Sequence, residues 1–240
     1  MRFLVKLRPV EGRAITVRLD YRSRFISLMK TIFGEDFFQR NGARPYTFAV
    51  YFGKGARIRG SSIEGVELVN LRFSTGDSSL AVKFYNGVLK LKKVGYTHRI
   101  GEGNFRVEWI REERERRITG AFKTLSPVVV ERIGFGDSRD VEERYTVPDE
   151  EGFELSFLEN VMRRYEAILG KRLEVKHVSI VSLGIKKEFV KHYGGVIKCF
   201  VGRFRVETES EELLNFIYKY GAGLRTGQGF GFLEVEDEKA

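Results

Sequence analysis

The sequence predicts an α+β protein built as two βαββαβ units in tandem. Two observations carry that expectation. Amphipathic stretches with a helical period are separated by short segments that alternate apolar and polar residues, as half-buried strands do. The order strand, helix, strand, strand, helix, strand runs once ahead of the charged segment Arg111–Arg117 and again after it. That segment marks the boundary, giving an N-terminal domain over 1–114 and a C-terminal domain over 115–240. A hydrophobic content of 42% in 240 residues supplies apolar material for such cores and argues against disorder.

In the first half, Arg2–Leu7 alternates as a strand. Residues 21–33 read as a helix, with Phe25, Met29 and Ile32 on one face and Ser23, Ser27 and Lys30 on another. Tyr46–Phe52 is aromatic and β-prone, and Val66–Phe73 alternates. Asp77 suits the N-cap of a helix reaching about Lys90, whose inner stripe is Leu80, Ala81, Phe84, Val88 and Leu91. Asn104–Ile110 supplies the closing strand.

In the second half, Ile118–Arg132 holds strand material around Leu125-Ser126-Pro127. Residues 154–169 form the clearest helix, with Leu155, Leu158, Val161, Met162, Tyr165 and Leu169 on one face and Gly170 as its stop. Arg172–Leu183 and Val196–Val206 alternate as strands. Thr208 and Glu211 fit a capping box for a helix through Tyr220, and a last strand runs through Val235. Asp137–Glu151, polar and containing Pro148, reads as a flexible insertion. The repeated order is the ferredoxin-like topology, shared with the RNA-recognition motif, although the halves share little sequence.

A net charge of +9 favours a polyanionic partner, nucleic acid before an anionic membrane. The basic residues are spread along the chain, so any binding surface is assembled by folding. Cys199 is the only cysteine, which excludes an intrachain disulfide and a cysteine-cluster metal site. His98, His177 and His192 lack metal-ligand spacing, so no metal and no cofactor is expected. His98 reads as a loop residue and His177 as part of an alternating strand. With no signal sequence and no apolar run of about twenty residues, the chain is expected to be cytoplasmic, without a membrane partner.

The segment Gly221–Val235 is the most distinctive, with five glycines in the eleven residues Gly221–Gly231. Such a loop can turn sharply and be approached closely, and its successive N–H groups can form a nest for phosphate. Arg225 inside it could add a forked donor. A P-loop is excluded because no lysine follows the relevant glycine. A dinucleotide fingerprint is excluded because Thr226 takes the third glycine's place and the order is helix, loop, strand. A tight helix-to-strand connection is the plain alternative.

Several segments together resemble a known family: Met1–Leu7, Phe73-Ser74-Thr75, Asn86-Gly87-Val88-Leu89, Thr124-Leu125-Ser126-Pro127-Val128 and the Gly221–Gly231 loop. The chain resembles the CRISPR-associated repeat endoribonucleases of the RAMP superfamily, the Cas-six family. The resemblance implies binding of CRISPR repeat RNA and metal-independent cleavage, in which a ribose 2′-hydroxyl attacks the adjacent phosphorus. It implies RNA contacts from Gly221, Gly223, Arg225, Gln228, Gly229 and Gly231 in the loop, and from His192 and Lys198 around a second-half hairpin. Many members carry a histidine shortly after the first helix; here no histidine precedes His98. Alignment with the family instead puts Lys30 and Arg44 at the catalytic positions, with Lys54 and Arg57 as substitutes. The alternative is a non-catalytic RAMP-type subunit that holds repeat RNA without cutting it. A generic RNA-binding protein with two RRM-like units is the third reading. A homodimer and association with CRISPR effector subunits remain open as partners.

Overall fold

A computed structural model of the chain describes residues 1–39 and 42–236. They fall into two compact units. One takes the described residues of Met1–Asn41 with Ala49–Arg114; the other takes Gly42–Phe48 with the described residues of Glu115–Ala240.

The first unit contains β1 (Arg2–Pro9), β2 (Ile15–Arg18), α1 (Arg22–Phe33) and α2 (Glu35–Gln39). Strand β3 (Thr47–Tyr51), whose first two residues group with the second unit, β4 (Arg57–Arg59), β5 (Ser62–Val66) and β6 (Val69–Ser74) follow, then α3 (Ser78–Lys93), β7 (Thr97–Ile100) and β8 (Gly103–Glu113). The main sheet has the order β3-β6-β1-β8-β7, and its core βαββαβ strands are β1, β3, β6 and β8. Phe25, Met29, Leu80, Phe84 and Val88 from the two long helices are buried. Asp77 caps α3 as expected, its carboxylate accepting from the Leu80 N–H at 3.0 Å. The expected strand over Val66–Phe73 is in fact two, interrupted at Glu67 and Leu68. Strand β5 belongs to a separate three-stranded sheet of order β2-β5-β4, too short and weakly patterned to be legible in sequence. His98 lies in β7 rather than a loop; it is buried, with Nε2 2.8 Å from the Arg24 carbonyl oxygen.

The second unit runs β9 (Ala121–Thr124), β10 (Val130–Glu131), α4 (Val141–Arg144), β11 (Tyr145–Thr146) and α5 (Phe153–Leu169). It continues with β12 (Ser179–His192), β13 (Gly195–Glu207), α6 (Glu211–Tyr220), a 3₁₀ turn (Thr226–Gln228) and β14 (Leu233–Val235). Its sheet order, β12-β13-β9-β14, puts the strands in the same sequence of places as β3-β6-β1-β8. Both units are therefore ferredoxin-like.

Four expectations are corrected here. Asp137–Glu151 is not a loose insertion: β11 pairs with β10, and Tyr145–Pro148 are buried. The cap of α6 is Ser210, whose hydroxyl accepts from the Leu213 N–H at 3.1 Å, while Thr208 donates to the His177 carbonyl. The strand expected from Arg172 begins only at Ser179, so His177 precedes it. The buried face of α5 is rotated from the apolar stripe: Phe153, Phe157, Asn160, Val161, Arg164 and Tyr165 point inward, and Leu155 is 67% exposed.

Candidate nucleic-acid interface

The glycine-rich loop leaves α6 at Gly221 and enters β14 at Leu233. Its glycines are demanded by the protein's own packing. A Cβ on Gly231 (φ +73°) would lie 2.0 Å from the Ala222 carbonyl oxygen, and one on Gly223 (φ +65°) 2.2 Å from that of Val129. A Cβ on Gly227 would meet the Arg44 side chain at 2.6 Å, one on Gly229 the Phe48 ring at 2.7 Å, and one on Gly221 the Thr47 Cβ at 2.8 Å. Several of the loop's N–H groups are also engaged within the protein. Ala222 donates to Gly231, Leu224 to Val129, Gln228 to Arg225, Gly229 to Thr226 and Gly231 to Pro127. The close approach anticipated for phosphate is thus made by neighbouring segments of this unit, including 44–48, from which Thr47 donates to the Phe230 carbonyl at 2.9 Å.

Behind the loop stands Arg164 of α5, which sequence reasoning missed. It is buried, and its guanidinium donates to the carbonyls of Tyr220 (2.8 Å), Gly221 (2.7 Å) and Gly223 (2.9 Å) and to Thr226 Oγ1 (2.9 Å). Burial pushes its pKa down to about 9, so it is still a cation at neutral pH. It supplies donors to carbonyls that the end of α6 leaves unpaired and sets positive charge at the negative end of that helix. One turn earlier, Asn160 brackets the Glu131 backbone, accepting from its N–H at 2.8 Å and donating to its carbonyl at 3.0 Å. The available signal was the pair Asn160 and Arg164, four residues apart, set among Phe157, Val161 and Tyr165.

The outward side of the loop is carried by Leu224, Arg225 and Gln228, each half-buried. Arg225 sits in the left-handed region (φ +57°). The positive-φ positions at Gly221, Gly223, Gly229 and Gly231 are glycine, whereas position 225 carries a side chain at some cost in backbone strain. Its Nη1 donates to Gln228 Oε1 at 3.3 Å and its Nη2 to Tyr145 Oη at 3.2 Å. His192 Nε2 lies 3.0 Å from the same Gln228 oxygen; because that oxygen is an acceptor, the imidazole proton sits on Nε2. His192 is buried at the end of β12, its ring edge-on to Phe230.

The other anticipated residues fall elsewhere. Lys198 is 1% exposed, and its ammonium reaches Glu142 Oε2 at 2.7 Å and Glu150 Oε1 and Oε2 at 3.1 Å. It fastens the 137–151 segment to β13, with its donors turned inward. Lys30, in the last turn of α1, is 43% exposed, and its ammonium is 3.8 Å from Glu35. Arg44 belongs to the segment that groups with the second unit, where Gly227 packs against it. It lies beside Tyr46, whose phenol donates to the Gly227 carbonyl at 3.3 Å and has its pKa raised by burial. Lys54 is exposed in a turn of the first unit, and Arg57 of β4 donates to the Lys54 and Ala56 carbonyls. Among the described residues, no cluster of three or more His, Cys, Asp or Glu could hold a metal ion, and no helix is long and apolar enough to cross a membrane.

Residues 110–235, more than half of the chain and ending just past the glycine-rich loop, match the family described as CRISPR associated protein Cas6, C-terminal. The chain belongs to the Cas6 family. This Cas6-family chain is 28% identical over 180 residues to a CRISPR-associated endoribonuclease-like protein Cas6 of Pyrococcus furiosus, covering 73% of each. It is 25% identical over 174 residues to the endoribonuclease-like protein Cas6nc of Pyrococcus horikoshii, covering 72% of each. Its fold resembles the solved product of a Cas6-related gene from Pyrococcus furiosus, with a TM-score of 0.83 at 22% identity, covering 100% of this chain and 99% of that one. It also resembles a RAMP protein described as binding different RNA substrates, with a TM-score of 0.81 at 24% identity, covering 99% and 100%.

Proposed function

We propose that this protein binds CRISPR repeat RNA, with Arg225 on the outward side of the glycine-rich loop as a principal phosphate contact. The observation that carries this reading is Arg225 itself. It is an arginine kept at a strained backbone position, in the segment that ends the Cas6-family match, with its two hydrogen bonds going to uncharged partners. A guanidinium so placed suits a phosphate, and the net charge of +9 adds long-range attraction. Gln228 and His192 belong to the same face.

Holding the RNA is favoured over rapid cutting. Attack by the 2′-hydroxyl needs a base and an acid, the work most often given to imidazole. His98 and His192 are both buried, with their Nε2 atoms engaged by the Arg24 carbonyl and by Gln228. Endoribonuclease-like relatives favour cutting as a second reading. In that case Lys30 and Arg44 act as fixed cations that stabilise the charged phosphorane, a slow, chelator-resistant reaction.

Labelled repeat RNA incubated with the protein in EDTA tests both readings. Binding that weakens with salt and with Arg225→Ala, and RNA recovered intact, is the expected result. Salt-insensitive binding, or an unchanged affinity in Arg225→Ala, removes the loop from the interface. Chelator-resistant products ending in 2′,3′-cyclic phosphate move the protein to the cutting reading. There Lys30→Ala should slow single-turnover cleavage by roughly ten- to a thousandfold at unchanged affinity.

A further inference from the structure

Tyr145 lies outside the glycine-rich loop, in the polar segment 137–151. Several contacts fix it in place. Strand β11 pairs with β10, with Tyr145 opposite Glu131, and Arg144 beside it donates to the Glu131 carboxylate at 3.0 Å. The Lys198 ammonium holds Glu142 and Glu150 on either side of it in sequence. Tyr145 is 3% exposed, yet its hydroxyl is within hydrogen-bond reach of Arg225, eighty residues along the chain. On the other side of the guanidinium, Gln228 accepts from Arg225 and is itself oriented by His192.

We propose that Tyr145 and Gln228 are positioning residues that hold the Arg225 guanidinium ready for phosphate, with His192 setting the Gln228 amide. The inference rests on the RNA-binding reading above. An exposed arginine loses considerable rotamer freedom when it grips a ligand. Here each Nη is tethered once by a neutral oxygen, so the side chain is ordered beforehand while its charge is left uncancelled. Two of the five N–H donors of a guanidinium are used in this way, and the others can face a phosphate. Gln228, anticipated as an RNA contact, is thereby a brace. A carboxylate in either position would orient the arginine equally well but would neutralise it.

The test is a double-mutant cycle on repeat-RNA affinity, measured at several salt concentrations with wild type, Tyr145→Phe, Arg225→Ala and the double variant. Tyr145→Phe removes one hydroxyl and keeps the buried ring. It should weaken binding about three- to tenfold, the size of one hydrogen bond, and should have no further effect once Arg225 is alanine. Equal losses from Tyr145→Phe in both backgrounds, or no loss where Arg225→Ala loses affinity, overturn the bracing. Side-chain NMR of Arg225 in the RNA-free protein decides the point separately. Wild type should show restricted guanidinium rotation, and Tyr145→Phe should release it. If wild type binds no repeat RNA, the RNA-binding reading falls; an ordered guanidinium would then still establish the brace, and a freely rotating one would refute it.

Discussion

Among its described residues the second unit buries two cations, Arg164 and Lys198, and they are used in opposite ways. Arg164 is surrounded by three carbonyls and a hydroxyl, with no carboxylate among those partners. Lys198 grips two glutamates whose own side chains reach solvent, Glu142 being 54% exposed. The first is a backbone former: its fork dictates where the chain turns between α6 and the glycine-rich loop. The second is chiefly a clasp between side chains, with the Glu142 carbonyl oxygen as one further acceptor at 3.0 Å, and it closes one segment over β13. A planar guanidinium suits several fixed acceptors at once, whereas an ammonium is a point charge that can gather mobile carboxylates.

Removing the backbone former should have the largest effect. Arg164→Met leaves four interior acceptors without their donor and should cost about 3 to 5 kcal/mol in urea unfolding. Arg164→Lys should recover only part of this, because one ammonium cannot reproduce the fork. A loss below about 1 kcal/mol would erase the distinction between the two sites. Lys198→Met should cost less, about 1 to 2 kcal/mol, since Glu142 and Glu150 can turn to water. Its pH dependence sharpens the contrast. Hydrogen bonding to Lys198 lowers the pKa of Glu142, so the folded protein prefers the ionised form. That stability is present above the ordinary carboxylate pKa and is lost as pH falls through the lowered one. Melting temperature against pH should therefore have a shallower acid limb in Lys198→Met than in wild type. The smallest effect on the fold belongs to Arg225→Gly, which trades two hydrogen bonds for relief of left-handed strain. Its stability should stay within about 1 kcal/mol of wild type, and a larger loss would make Arg225 part of the scaffold.

The difference between these cations also explains what the sequence revealed. Helices α1, α3, α5 and α6 were legible because their apolar residues recur with a helical period, and the order of elements followed from them. Periodicity counts polar residues as solvent-facing, so it mis-phased α5. Leu155 and Leu169 were placed inside, whereas the inward face includes Asn160 and Arg164, which have backbone groups to satisfy. Lys198 stands among the RNA contacts through the family resemblance alone; in the structure Ile197, Lys198, Cys199 and Phe200 are buried in succession, and α4 and β11 pack against their strand. The glycine-rich loop announced itself by composition, and Arg225 lay in plain view within it. Its partner Tyr145 did not, because a two-residue strand inside a charged segment leaves no period to detect.

The contacts around the loop glycines bear on how such a gene can vary. Any amino acid reached by a one-base change in a glycine codon carries a Cβ. At Gly223 and Gly231 that atom would fall 2.2 Å and 2.0 Å from carbonyl oxygens of the main chain, which cannot swing aside as a side chain can. Missense alleles at these codons should consequently behave as loss-of-fold alleles, and random mutagenesis libraries selected for folded protein should return them as glycine. Codon 225, on the outward side of the loop, should accept several residues in such a library, with glycine and asparagine favoured by its left-handed backbone, and should be held to arginine only when RNA binding is also selected.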